Sequence, residues 1–220
     1  MLVDSAIHEA RVTDCAEAER LPRMTGEQRE VQVTEDEQLA RVTIGQVRPL
    51  DAPVTLTEYE PAWPEHYAAL ASVIRQALGD AVALVEHVGS TSVPGLVAKP
   101  IIDIALAVAD SADEVAYVAA LEAQGYALRI REPDWYEHRM LEGADADVNL
   151  HVFSTGCPEI DRMLLFRDRL RADSIERERY AAVKRELAPQ RWHHVQHYAD
   201  AKTAVVNEIV AHACTARRAL

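Results

Sequence analysis

The stretch EHVGSTSVPGLVAKPIIDIALAV, residues 86–108, decides the fold because it places a polar turn between two strand-forming runs. The first run ends at Gly89, and three hydroxyl residues follow it directly. Residues 93–95, Val-Pro-Gly, predict a turn that sends the chain back towards the sheet. The run PIIDIALAV, residues 100–108, then predicts a second strand with one aspartate inside it.

The turn and the second strand together predict a site for a phosphate-bearing ligand. A glycine at a strand end lets a ligand approach the backbone closely, and hydroxyl and N–H groups suit phosphate oxygens. A lysine at the start of the second strand adds positive charge. A carboxylate buried without partners is costly, so we expect this one to meet a cation, a donor or a cleft. The alternative is a simple Gly-Ser turn with an anchoring aspartate. The residues concerned are Gly89, Ser90, Thr91, Ser92, Lys99 and Asp103.

Strand and helix patterns alternate outward from this stretch. Residues 53–59 are rich in β-branched types and predict a short strand, and the helix that follows has Pro64 in its first turn and ends at Gly79. Ser111 and Glu114 predict a capping box for a helix that ends at Gly125. Three further strands and three late helices complete the chain. The strands are expected in 126–132, 135–141 and 147–155, and the helices in 157–173, 174–188 and 198–213.

This order predicts an α/β or α+β fold, a mixed β-sheet with a C-terminal helical cover. Residues 51–215 are expected to form the organised domain. Residues 1–50 contain ten acidic and six basic residues without sustained alternation, and predict an acidic extension that is partly disordered or loosely packed. Within that extension, residues 34–42 predict one short helix.

Composition and charge restrict the function. With 220 residues, 49% of them apolar, the chain can bury one sizeable core. The formal net charge of −13 argues against a large nucleic-acid surface but permits a small basic pocket. No apolar run approaches the ~20 residues that a membrane-spanning helix needs. Three scattered cysteines favour a reducing compartment, and we expect a cytoplasmic protein without membrane contact.

The motifs resemble those of the GrpB family, within the polymerase-β-like nucleotidyltransferase superfamily. The similarity rests on five blocks and runs from about residue 54 to residue 213. The blocks are EYEPAWPEHYAAL (58–70), VEHVGSTSVPGLVAKPIIDI (85–104), NLHVF (149–153), LLFRDRLRAD (164–173) and YAAVKRELA (180–188). The resemblance implies a nucleotidyltransferase-like sheet, a Gly-Ser turn over a triphosphate and an acidic strand that holds Mg²⁺. GrpB-like domains also occur fused behind some dephospho-CoA kinases.

One position departs from the superfamily pattern. The pattern requires a second acid two residues after the first, and Ala105 stands there. Two-metal catalysis needs several carboxylates, which Asp103 alone does not supply. In the strand DVNLHVF, Asp147, Asn149 and His151 share one face, so Asp147 or His151 could complete a single metal site beside Asp103. These residues could equally form the solvated side of the sheet.

The late helices add candidate ligands for an anion. Arg167 and Arg171 are four residues apart and share a helix face, as do Tyr180 and Lys184. All four fall within the blocks that resemble the GrpB family, and Arg139 is a further candidate. Structural salt bridges would explain the arginines equally well. The histidines of RWHHVQHY, residues 191–198, indicate a surface cluster rather than a zinc site, since no cysteine partner is near.

Three functional hypotheses follow. The first is a nucleotidyltransferase-type protein that binds ATP, another nucleoside triphosphate or another phosphate-bearing small molecule with Mg²⁺, and transfers a nucleotidyl group. Asp103, Lys99 and His151 would then be its catalytic residues, with metal at Asp103 and Asp147. The second is a non-catalytic module that binds a ligand or a protein partner. The third is an enzyme that uses the same pocket for other acyl- or phosphate-dependent chemistry, with His151 as the base.

Overall fold

The structure, a computed structural model, describes residues 35–145 and 147–218. A five-stranded mixed sheet in the order β1-β2-β5-β4-β3 forms its centre. β2 and β5 pair in parallel, and every other neighbouring pair is antiparallel. The strands are β1 (Leu84–Val88), β2 (Ile102–Val108), β3 (Ala127–Glu132), β4 (His138–Glu142) and β5 (Val148–Ser154).

Helices flank the sheet and follow it. In the described part of the chain these are α1 (Asp36–Val42), α2 (Trp63–Leu78), α3 (Val118–Glu122), α4 (Pro158–Ala172), α5 (Ser174–Leu187), α6 (Val195–Asp200) and α7 (Thr203–Arg218). The predicted mixed sheet with a C-terminal helical cover is thus confirmed, and the cover consists of α4 to α7. None of the helices described combines the length and the apolar character needed to cross a membrane.

β2 is buried on both faces, and this double burial positions its aspartate. Ile102, Ile104, Leu106 and Val108 pack with α2 in one apolar cluster. Ala105 and Ala107 face the opposite way and pack with residues of α4 in another. Because side chains alternate along a strand, Asp103 lies on the α4 side of the sheet, at the start of β2.

The first long helix forms as its residue pattern predicts. Pro64 occupies the first turn of α2, where its missing N–H group breaks no hydrogen bond. Ala71, Ile74 and Leu78 recur at helical spacing and are buried against the sheet. Gly79 ends the helix with a φ of 54°, a conformation that glycine adopts without strain.

Two predicted elements are wrong, and a third, the single helix expected in 198–213, is divided into α6 and α7 by a turn at residues 201–202. Residues 53–59 do not form a strand, because Thr57 makes only an isolated bridge to Ala98 and no ladder follows. Residues 111–125 contain only a 3₁₀ turn and the short helix α3, and no capping box forms. The Glu114 carboxylate binds Arg131 and Arg139 instead, since two guanidinium groups outcompete one backbone N–H group.

Part of the acidic extension packs against the sheet. In α1, the side chain of Leu39 is buried, and the Ile44 N–H group donates to the Arg129 carbonyl on edge strand β3. Arg48 forms an ion pair with Glu142 on β4. The remainder of the predicted disordered or loosely packed region, residues 1–34, lies outside the described residues.

Candidate active site

The turn after β1 approaches the β2 aspartate more closely than any side chain would permit. Gly89 has a φ of 67°, in the left-handed region that favours glycine. A Cβ atom at this position would lie 2.2 Å from Asp103 Oδ2. The turn and β2 therefore meet at one point, where only glycine fits.

The three hydroxyl residues form a 3₁₀ turn, but they do not all face the same space. Ser90 and Thr91 line a small cavity, together with Asp103. Thr91 Oγ1 also donates to the Ile101 carbonyl at 3.1 Å. Ser92 Oγ donates to the Gly89 carbonyl at 2.6 Å and belongs to the turn itself. Of the three predicted phosphate ligands, the structure thus brings Ser90 and Thr91 to the cavity and leaves Ser92 outside it.

We call this space the Asp103 cavity, and its volume of about 10 Å³ would hold roughly one water molecule. Side chains of both the sheet and the helical cover enclose it, so the predicted meeting of the turn and the aspartate at one hollow is observed. Its lining consists of Ser90, Thr91, Lys99, Ile101, Asp103, Asn149, Lys184 and Tyr198.

Asp103 has one strong hydrogen-bond donor from the neighbouring strand. The parallel register of β2 and β5 places Asn149 opposite it, and Asn149 Nδ2 donates to Asp103 Oδ1 at 2.8 Å. The amide oxygen Oδ1 of Asn149 is buried and has no hydrogen-bond partner among the residues described. A buried acceptor without a partner is costly, and this one lies beside a carboxylate at a cavity wall.

A buried row of polar side chains runs from Asp103 on β2 across the neighbouring strands β5, β4 and β3. His151 Nε2 lies 4.0 Å from Asp103 Oδ1 and, within the described chain, has no hydrogen-bond partner. His151 Nδ1 contacts His138 Nε2 at 3.0 Å, and His138 Nδ1 contacts Glu132 Oε2 at 2.7 Å. Because one nitrogen of each neutral imidazole donates while the other accepts, this row can orient His151 towards Asp103.

Two lysines supply positive charge from different parts of the chain. Lys184, on α5, donates from Nζ to Ser90 Oγ at 2.7 Å and to the Val97 carbonyl at 2.6 Å. Burial lowers its pKa to about 7, and the repulsion of Lys99 acts in the same direction. Burial also lowers the pKa of Lys99, while the attraction of Asp103 opposes that shift. An anion in the cavity would stabilise the protonated form of both lysines.

Two tyrosines of the cover lie in this region, and one of them lines the cavity. Tyr180 is fully buried and forms a hydrogen bond with Ser90, and burial raises its pKa. Tyr198, on α6, lines the cavity, and its buried hydroxyl has no hydrogen-bond partner in the residues described. Asn149 and Tyr198 were absent from the predicted site residues. The strand alternation of DVNLHVF contained a signal for Asn149, whereas no motif pointed to Tyr198.

The predicted arginines separate into two groups. Arg171 Nε donates to the Ser92 carbonyl at 2.9 Å, and Arg167 donates to Glu86 and to the His87 carbonyl, so both hold the cover against the turn. Neither lines the cavity. Arg139 is buried against Glu114 at 2.6 Å and also contacts backbone carbonyls of the β4 region. The structure therefore places Arg139 in the sheet scaffold, in contrast to the predicted ligand role.

Asp147 lies apart from the Asp103 cavity. It precedes β5 and lines a wider cleft on the α2 side, together with Glu60, Trp63 and His66. Its backbone carbonyl accepts a hydrogen bond from the Ile102 N–H group. The structure does not bring Asp103 and Asp147 together around one metal as predicted. Asn149 lies opposite Asp103, and Asp147 lines a different cleft.

Comparisons with known proteins match this part of the chain. The family model described as "GrpB protein" matches residues 53–212. A UPF0157 protein of Halalkalibacterium halodurans is 60% identical over 178 residues, which are 81% of this chain and 91% of that protein. The crystal structure of the conserved protein GrpB from Enterococcus faecalis aligns with a TM-score of 0.66 at 30% identity, over 74% of this chain and 99% of that one.

A fourth similarity concerns part of a longer protein. A dephospho-CoA kinase of Mycolicibacterium paratuberculosis is 34% identical over 160 residues, which cover 61% of this chain and 39% of the kinase. The region matched by the family model contains the whole lining of the Asp103 cavity, including the two lysines and Tyr198.

Proposed function

The chain belongs to the GrpB family, and from this premise we propose that the Asp103 cavity binds the phosphate groups of a nucleotide or of another phosphate-bearing small molecule. Ser90, Thr91 and the two lysines bind the phosphate oxygens after the helical cover moves outward, because the cavity as observed holds only about one water molecule. Asp103 and Asn149 bind the accompanying Mg²⁺. Transfer of a nucleotidyl group to a small acceptor is the reaction that this arrangement would serve.

One observation carries the proposal: polar atoms buried at the cavity lack the partners that buried polar atoms normally have. Asn149 Oδ1 and the Tyr198 hydroxyl are both of this kind in the described chain. Such atoms are retained where a ligand, ion or water satisfies them. Lys99 and Lys184 face the same cavity with lowered pKa values, and an anion would offset the cost of their charges.

The oxygen donors beside the cavity fit one Mg²⁺ ion. Mg²⁺ prefers carboxylate and carbonyl oxygens and completes its shell with water and substrate phosphate. Asp103 contributes a carboxylate, and Asn149 contributes the amide oxygen that lacks a partner among the described residues. When bound, Mg²⁺ would neutralise phosphate charge and orient the phosphate groups.

A second metal position is not supported by the residues around Ala105. Ala105 is fully buried and packs in an apolar cluster with Val88 and Phe153. Ala105 itself offers no metal ligand, and its neighbours in the strand register are His151 on β5 and Glu86 on β1, whose carboxylate already binds Arg167. The single-ion arrangement leaves proton transfer to His151, whose Nε2 faces Asp103 and whose Nδ1 contacts His138. In this proposal His151 acts as the general base through Nε2, which carries no proton when Nδ1 donates to His138.

The alternative function is a non-catalytic binding module. Two observations favour it: Ala105 stands where the superfamily has its second acid, and the chain matches only 39% of the dephospho-CoA kinase relative. A module of this kind would keep the cavity and the lysines for recognition. Both functions predict ligand binding at the cavity, and only the enzyme is expected to turn the ligand over.

Thermal unfolding with and without ATP and Mg²⁺ tests the binding proposal. Binding to the folded state alone, with ligand at ~100 times Kd, adds about 2.7 kcal/mol to the free energy of unfolding. For a chain of this size, about 1 kcal/mol shifts Tm by about 2–4 °C. We expect a rise of several degrees for the wild type, a loss of the Mg²⁺ dependence in Asp103→Asn, and no effect of Ser72→Ala, a control on the exposed side of α2.

The proposal fails if neither ATP nor other nucleoside triphosphates raise the Tm of the wild type. If they do, incubation of α-labelled ATP with a metabolite extract separates enzyme from module. Transfer of label that stops in His151→Gln while binding persists supports the enzyme. Binding without transfer under all conditions supports the module.

A further inference from the structure

A second group of side chains able to hold a metal ion lies where the acidic extension meets the C-terminal segment. We call it the Asp36 cluster, and it comprises Asp36 at the start of α1 with His193, His194 and His197. Asp36 Oδ1 lies 3.2 Å from His194 Nε2 and 3.9 Å from His197 Nε2, while Asp36 Oδ2 lies 3.8 Å from His193 Nε2.

These separations agree with tetrahedral coordination. A tetrahedral ion with bonds of about 2.1 Å to nitrogen and oxygen sets neighbouring ligand atoms about 3.4 Å apart. The distance of 3.2 Å from Asp36 Oδ1 to His194 is close to that value, and the distances of 3.8 Å from Oδ2 to His193 and 3.9 Å from Oδ1 to His197 would shorten slightly around an ion. Ligand atoms of Asp36, His193 and His194 all lie within 4.8 Å of one another.

A further carboxylate supports the arrangement from outside. His193 Nδ1 contacts Asp51 Oδ1 at 2.8 Å, which holds the ring with Nε2 facing Asp36. Metal-binding histidines characteristically donate their other N–H group to such a carboxylate.

Ordinary ion pairing explains the cluster less well. A carboxylate can accept a hydrogen bond from more than one imidazole N–H group, but only the His194 contact of 3.2 Å is within hydrogen-bond distance, while His193 and His197 lie 3.8 Å and 3.9 Å from Asp36. Protonation of all three rings would place three positive charges around the carboxylates of Asp36 and Asp51, with ring centroids only 4.2 Å apart for His193 and His194. A divalent ion satisfies all these groups at once.

We propose that Asp36, His193, His194 and His197 form a binding site for a divalent transition metal such as Zn²⁺. Imidazole ligands suit Zn²⁺, Ni²⁺ and Cu²⁺, whereas Mg²⁺ prefers oxygen ligands, so three histidines around one carboxylate favour the transition metals. The ion would join α1 to the segment that continues into α6. His197 belongs to α6 and precedes Tyr198, which lines the Asp103 cavity, but the two sites share no ligand.

Titration of the untagged full-length chain with Co²⁺ and Zn²⁺ tests this site. Co²⁺ bound by nitrogen and oxygen ligands in a tetrahedron gives intense visible absorption, which Zn²⁺ should displace at one equivalent. We expect Asp36→Asn and His194→Gln to abolish the absorption, and Asp51→Asn to weaken affinity by about 10- to 100-fold through loss of the supporting carboxylate. His66→Gln, on the exposed first turn of α2, is the matched control and should bind as the wild type does.

Circular dichroism of each variant separates loss of the site from loss of the fold. His193→Gln changes a half-exposed ring and serves as the variant that should fold normally while losing the ion. Absence of one-to-one binding in the wild type overturns the proposal, as does binding that survives in Asp36→Asn combined with His194→Gln. The ATP-dependent rise in Tm should persist in His193→Gln, so failure here and failure of the proposed function are distinguishable.

Discussion

At the scale of single residues, Gly89 is the position where the site tolerates least change. A methyl group there would overlap the Asp103 carboxylate, and the backbone is also in the left-handed region. Asp103 cannot move away without losing its hydrogen bond to Asn149. The turn, the carboxylate and the amide therefore constrain one another.

Replacement of Gly89 by alanine should destabilise the protein more than replacement of a glycine that has a positive φ but no close neighbour. The left-handed conformation costs about 1–2 kcal/mol and the forced overlap about 1–3 kcal/mol, so we expect a loss of about 2–5 kcal/mol in total. Gly156→Ala is the matched control, because Gly156 has a φ of 81° and a Cβ atom there would meet nothing within 4 Å. Urea unfolding of both variants gives the comparison, and equal losses would show that contact with Asp103 is unimportant.

Residue types explain why half of the site was predictable. Gly89, Ser90, Lys99 and Asp103 lie within one continuous stretch, so their proximity follows from local chain geometry. Tyr198 meets the same cavity only through the packing of the cover, and no sequence spacing encodes that contact. The position of Arg139 outside the cavity was unpredictable for the same reason, because its partner Glu114 comes from a loop whose position depends on tertiary structure.

At the scale of elements, Glu114 fastens the connection between β2 and α3 to the sheet. Its carboxylate binds Arg131 on β3 through two hydrogen bonds of 2.6 Å and Arg139 on β4 through a third. The hydrogen bonds and charges of the two arginines, led by Arg131, lower the pKa of Glu114 from 4.5 to about 2. The predicted capping box did not form because Glu114 serves these strands instead.

Glu114→Gln should therefore cost stability in a pH-dependent way. Removing the charge from a partner of the buried Arg139 is expected to cost about 1–3 kcal/mol at neutral pH. Because the folded-state pKa is below the unfolded value, this contribution is complete above pH 4.5 and disappears as the pH falls towards about 2. Urea unfolding of wild type and variant across that range measures the difference.

Glu122→Gln, on the exposed side of α3, is the control for a charge change in the same segment and should alter stability little. A difference between wild type and Glu114→Gln that stays constant from neutral pH to about pH 2 would contradict the assigned pKa. A difference near zero at neutral pH would contradict the structural role itself.

At the scale of the whole molecule, residues 35–50 cover one edge of the sheet. Thr43 bridges Ile130, and the Ile44 N–H group donates to the Arg129 carbonyl, so part of edge strand β3 is paired. Uncovered strand edges promote pairing between chains. The boundary expected at residue 51 would separate these contacts from the sheet that they protect.

Deletion of residues 1–50 should therefore lower stability and promote self-association through β3. Size-exclusion chromatography with light scattering at increasing protein concentration measures the association, and thermal unfolding measures the stability. A chain that lacks only residues 1–34 is the control that isolates the contribution of residues 35–50. A truncated chain that matches this control in Tm and in mass would show that the segment does not protect the edge.

The overall architecture was predictable because local sequence patterns matched the observed elements. Examples are the apolar run of β2, the alternating polar and apolar residues of β5 and the helical spacing of apolar residues in α2. The 53–59 segment failed because β-branched residues favour extended backbone but cannot supply a neighbouring strand. The Asp36 cluster was missed for a different reason. Three of its members lie together near the C-terminal end, and the fourth lies in the acidic extension, which had no predicted position relative to them.

The hydrogen bond between Lys184 Nζ and Ser90 Oγ joins two residues that are 94 positions apart in the chain, so the ribosome adds them at different times. Ser90, Lys99, Asp103 and Asn149 leave the exit tunnel first, while the second ammonium group of the cavity, that of Lys184, arrives only with α5. A nascent chain that stops short of α5 has its acid and one lysine in place before the second lysine arrives. Translational pausing in that interval should leave the cavity open, and the last stages of synthesis then close it.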